Sequence, residues 1–129
     1  MAKPDLSRPS EKPTKLVSIV IDVDGYKDHL DKWTKKSRRK ADFPRRLKAR
    51  LVALHYFRIA FDSGQEYTER QVNTAIQRGN IFGMDHVQIR RHLVDFGMLS
   101  RSADGRTYSI SDRYLSLAES DPMILNRQR

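Results

Sequence analysis

The sequence predicts an α+β fold built as one domain with short appendages. Three observations carry that prediction. The middle of the chain holds three apolar stripes at helical spacing, an Asp-Gly turn closes a hairpin soon after the last of them, and one stretch near the start alternates with a period of two. A length of 129 residues suits a single domain.

Residues 1–14 carry Pro4, Pro9 and Pro13 among Ser, Lys, Asp and Glu, and are expected to form a flexible arm with too little apolar surface to order itself. From Lys15 to Val23 the alternation of Val17, Ile19, Ile21 and Val23 with their neighbours predicts a strand. Asp24 is the expected cap of a helix through Tyr26, Leu30 and Trp33, followed by a basic linker, Lys35-Lys36-Ser37-Arg38-Arg39-Lys40. Residues 15–42 thus read as a strand–helix extension.

The domain proper spans 43–110. Pro44 suits a first helical turn, where its missing N–H costs nothing, and Leu47, Leu51, Leu54, Phe57 and Phe61 mark the buried stripe that follows. Glu66-Tyr67 offers one rung of sheet, and Thr68 with Gln71 forms a capping box for a second helix carrying Val72, Ala75 and Ile76. A loop from Arg78 to Met84 shows no period. Asp85 and Gln88 repeat the capping pattern for a third helix with Ile89, Leu93 and Phe96 inward, and Gly97 stops it. Met98–Ala103 and Arg106–Ile110, joined by Asp104-Gly105, make the hairpin. Helix, short strand, helix, loop, helix and hairpin is the order of a winged helix, three helices plus a C-terminal β-hairpin, here with the strand–helix extension in front and a partly helical tail at 111–129.

The chain carries 25 Lys+Arg against 16 Asp+Glu, a formal net charge of +9. The excess belongs to the extension and the domain, because the tail at 111–129 is balanced. Such a surplus favours polyanionic partners. In helix-turn-helix proteins the last helix lies in the major groove, and arginine suits that place because its planar fork meets two acceptors at once. Turning the third helix at about 100° per residue puts Gln88, Arg90 and Arg91 on its outer half. Arg101 and Arg106 sit on the hairpin where a wing touches backbone, and Lys35, Lys36, Arg38, Arg39 and Lys40 supply non-specific attraction. The expected function is nucleic-acid binding in transcription regulation, with duplex DNA the preferred partner and RNA or a ribosome the alternative. A homodimer or protein partner engaged through 15–36 is the competing reading. The polar group Asp85, His86, Arg91 and Asp95 has a structural reading as well, as hydrogen bonds locking the third helix to its neighbours.

Other chemistry is poorly represented. The absence of cysteine excludes disulfides, thiol catalysis and Cys-ligated metals. His29, His55, His86 and His92 form no H-E-x-x-H pair, and the calcium-loop start Asp22-Val23-Asp24-Gly25 fails at Tyr26 and Lys27. No phosphate-binding glycine motif or nucleophile elbow is present. No enzyme activity, metal or cofactor is expected. With no apolar run of roughly 20 residues and no apolar leader, the expected location is the cytoplasm, away from membranes.

Phe43-Pro44-Arg45-Arg46, then Tyr67-Thr68-Glu69 with Val72-Asn73, and above all Asp85-His86 followed by Arg90-Arg91, Leu93-Val94-Asp95, Gly97, Leu99 and Arg101, carry a resemblance. Residues 43–110 resemble a bacterial domain-of-unknown-function family found alone or fused to transcriptional regulators. The resemblance implies a winged-helix-like fold and a link to transcription. It implies no activity. The loop at 78–84 is longer than the family's usual one, and the segment at 15–36 is unlike the family.

Overall fold

The structure, a computed structural model, describes residues 19–35 and 40–126. The predicted arm, the first residues of the predicted strand, and Lys36, Arg38 and Arg39 of the linker lie outside the described residues. The fold is α+β. In chain order it comprises β1 (Ile19–Ile21), α1 (Val23–Thr34), α2 (Leu47–Arg58), β2 (Tyr67–Thr68), α3 (Glu69–Gly79), α4 (His86–Asp95), β3 (Leu99–Arg101), β4 (Thr107–Ile110), a 3₁₀ turn (Arg113–Ser116), β5 (Ala118–Ser120) and α5 (Pro122–Asn126). One sheet is antiparallel with strand order β2-β4-β3, and β1 pairs with β5 in parallel.

Local chemistry explains most boundaries, with two corrections. Strand β1 ends at Ile21, so the cap of α1 is Asp22 rather than Asp24: its carboxylate accepts from the Gly25 N–H at 3.1 Å. Pro44 lies ahead of α2 instead of in its first turn, and its carbonyl accepts from Arg50 Nε at 3.1 Å. The helix starts at Leu47 after Arg46, with no side-chain cap and no acidic residue in its first turn. By contrast, Thr68 and Gln71 form both bonds of the capping box on α3, and Asp85 accepts from the Gln88 N–H at 3.0 Å to cap α4. Gly97, at φ +81°, turns the chain from α4 into β3.

Helix α2 is the centre of the molecule and is buried nearly all round from Leu51 to Arg58, with α1, α3, α4 and β1 packed on it. The loop between α3 and α4 is a built element rather than slack. The Asn80 amide donates to the Met84 carbonyl at 2.8 Å and its oxygen accepts from the Phe82 N–H at 2.9 Å. Phe82 is thereby driven into the core, edge-on to Trp33 and Phe43. A one-rung parallel bridge, Ala41 to Phe82, fastens the end of the linker beside that loop.

The two ends of the described chain meet. Ile19, Val20 and Ile21 register with Ala118, Glu119 and Ser120, and Ile21, Tyr26 and Trp33 share one core with Tyr114, Ala118 and Ile124. The strand–helix unit is therefore part of the same core as the domain it precedes.

Candidate nucleic-acid interface

The face expected to meet a partner is the outer side of α4 together with the β3–β4 hairpin. Gln88 and Arg91 are exposed on α4, and Arg91 forms no salt bridge or hydrogen bond through its side chain among the described residues, even though Asp95 lies one turn on. Arg90 corrects the expectation of an outward pair. Its Nη1 donates to Asn73 Oδ1 at 2.5 Å, it lies 3.8 Å from Glu69 Oε2, and its guanidinium covers the Tyr108 ring at 6.0 Å. Only 14% of that side chain is exposed. The reason is geometric: α4 crosses α3 closely enough that the neighbour of Ile89 is drawn toward the α3 surface, where Asn73 and Glu69 supply its acceptors. Arg90 ties α3, α4 and β4 together.

On the hairpin, Arg106 is exposed. Its backbone N–H donates to Asp104 Oδ1 at 3.0 Å, while its side chain has no partner among the described residues. Arg101 is exposed but folded over the turn, with Nε 3.4 Å from the Gly105 carbonyl and its guanidinium 5.9 Å from the Tyr108 ring. Asp104 accepts from Ser102 Oγ at 2.6 Å, a bond that holds its carboxyl below the usual range, helped by the Arg106 N–H. Of the linker, Lys35 is exposed at the end of α1, and Lys40 donates to the Asn80 carbonyl at 3.2 Å.

The other polar residues of α4 divide in the same way. Asp85 is engaged as a cap, Gln77 Nε2 lies 3.4 Å from His86 Nδ1, and His92 stacks flat on Phe43 with ring centroids 5.7 Å apart. Burial, then the nearby Arg50, holds the His92 ring below its ordinary pKa. Of the four polar residues for which the sequence left both readings open, Asp85 and His86 have structural partners, whereas Arg91 and Asp95 are exposed with no side-chain hydrogen bond or salt bridge among the described residues.

Reasoning from the sequence missed the cations next to α2. Arg45 and Arg46 are exposed, Arg50 is half-buried, and no acidic residue occurs between Asp42 and Asp62. The readable signal was the combination of that acid-free stretch with a helix start lacking a cap. It also missed the pair of buried Arg58 with exposed Asp112 at 3.0 Å, whose guanidinium lies over Tyr114, because the partners are far apart in the chain. Among the described residues no cluster of His, Asp and Glu is arranged to hold a metal ion, and no helix is long and apolar enough to cross a membrane.

No curated protein and no solved structure matches the chain. A family model does: DUF2087, described as an uncharacterized protein conserved in bacteria, matches residues 31–110. The match begins in the last turn of α1, earlier than the Phe43 boundary expected from the sequence, and runs through α2, the capped helices and the hairpin to the end of β4. Covering well over half of the chain, it shows that this protein belongs to the DUF2087 family of bacterial proteins.

Proposed function

We propose that this chain is a winged-helix protein that binds duplex DNA and regulates transcription, acting in the cytoplasm by binding rather than by catalysis. In this reading α2, α3 and α4 are the three helices, α4 enters the major groove and the β3–β4 hairpin is the wing. The observation that carries it is the pairing of an unengaged Arg91 and an exposed Gln88 on α4 with an unengaged Arg106 on the hairpin that directly follows. The net charge of +9 supplies the attraction that any polyanion would feel. Arg90 is not among the contact residues in this reading, because its hydrogen-bonding capacity is directed at Asn73 and Glu69. The test is fluorescence anisotropy of a labelled duplex with the double variant Arg91→Ala, Arg106→Ala. Affinity is expected to fall about tenfold at low salt with the thermal transition unchanged. An unaltered affinity removes this face from the interface.

One observation favours a second reading. Strand β1 is paired on one edge only among the described residues, and Val20 is 44% exposed, so a second copy could add a strand there. A dimer in sedimentation that is lost in Val20→Lys supports it, and a monomer at all concentrations excludes it.

A further inference from the structure

Around the start of α2 the surface is cut by two open cavities of about 480 Å³ each, and Arg45 lines both. One lies between α1 and the start of α2, walled by Lys32, Arg45 and Arg46. The other runs from Asp42 and Arg45 past Arg50 to Gln88 in the first turn of α4. Four cationic side chains and a single carboxylate, Asp42, line these two cavities, which meet at Arg45 and together make a groove.

We propose that this groove is a second phosphate-binding surface, in which Arg45 and Arg46 hold the backbone of a DNA duplex alongside the segment read by α4. The inference rests on the duplex-binding reading above and deepens it, since Gln88 belongs both to the outer face of α4 and to the groove wall.

Four features of the site fit phosphate. Arg45 and Arg46 are exposed, and among the described residues neither has a salt bridge. The groove opens at the start of α2, whose first N–H groups meet no side-chain cap and no acidic residue, so the positive end of a 12-residue helix is left uncompensated. Its walls are fixed in advance: Arg50 is tied to the Pro44 carbonyl and lies over the Phe43 ring, and Gly83 donates to the Ala41 carbonyl at 2.9 Å. Finally, cations of the groove act on two nearby histidines, His29 in one cavity wall and His92 on α4. Burial is the main cause that holds both below their ordinary pKa; Lys32 and Lys48 add to it at His29 against Asp28, and Arg50 adds to it at His92 against Asp95.

The experiment uses the whole protein and a labelled duplex, with two readouts. Arg45→Ala combined with Arg46→Ala is expected to weaken duplex binding about tenfold at low salt and to reduce the magnitude of the salt slope by about 2, with thermal stability unchanged. In the unaltered protein, saturating duplex is expected to raise the pKa of both His29 and His92, read from their ring proton shifts against pH, because a nearby phosphate favours the protonated ring and offsets the cations that add to burial in lowering it. Unchanged affinity and slope in the variant, or histidines unmoved by saturating duplex, overturn the groove while leaving the α4–hairpin reading intact. Absence of duplex binding by the unaltered protein overturns both. Displacement of duplex by an RNA hairpin at far lower concentration overturns the assignment to DNA.

Discussion

Two arginines adjacent in sequence have opposite fates. Arg90 leaves water for Asn73, Glu69 and the Tyr108 face, whereas Arg91 stays in solvent. Removing Arg90 strips a partly buried acceptor of its charged donor, a loss of about 1–3 kcal/mol. Arg90→Ala is therefore expected to lower the urea midpoint clearly and Arg91→Ala to leave it unchanged; equal effects on stability would contradict the assignment. His55 is the other residue with a strong environment. It is fully buried between Tyr26 and Tyr114, which approach its ring edge-on at 5.8 Å, and the Arg58 charge acts on it. Burial first and Arg58 second lower its pKa to about 4 from an ordinary 6.5. Above pH 6.5 the ring is neutral folded or unfolded, so its titration does not change the stability. As pH falls from 6.5 toward 4 the unfolded chain takes the proton and the folded one does not, so stability declines by up to about 3 kcal/mol. Denaturant midpoints measured between about pH 7 and 4.5 should show that decline in the wild type and a shallower one in His55→Leu.

Among the elements, the turn after α4 is the most constrained. Gly97 sits at φ +81°, and a Cβ there would come within 2.8 Å of the Tyr114 backbone nitrogen and 2.9 Å of Arg113 Cβ. Gly97→Ala is expected to destabilise by at least about 1–2 kcal/mol from backbone conformation alone, with the steric clash added, as measured by the thermal midpoint. A change smaller than that would mean the turn is slack. This turn was legible in the sequence, as were the Thr68–Gln71 box, the Asp85 cap and the Asp104-Gly105 hairpin, because each is decided by residues within one helical turn of one another. What was not legible depends on distant partners. The α1 cap moved to Asp22 because β1 stops at Ile21 to pair with β5, nearly the whole chain away. Phe82 looked like loop, since only Trp33, Phe43 and Phe57 around it make its position apolar. Arg90 looked outward by helical angle, and the presence of Asn73 across the α3–α4 contact reversed it. The cations at 45–50 were visible in the chain, but their groove needs α1, the Ala41 bridge and α4 to be in place.

For the molecule as a whole, one core joins the N-terminal strand, the helices and the C-terminal strand, so the cations on α2, α4 and the hairpin are held on a common scaffold. Arg58, buried, and Arg90, largely buried, serve the fold, and the positive charge on the face of α4, the hairpin and the start of α2 comes from Arg45, Arg46, Arg91, Arg101 and Arg106 together with lysines. If five or six of these meet phosphate, counterion release sets the logarithmic dependence of affinity on salt. The direct measurement is the dissociation constant of the full chain for a labelled duplex between about 50 and 200 mM salt. The account predicts a slope of about −5 in log affinity against log salt; binding that is absent, or whose strength does not change with salt, would contradict it.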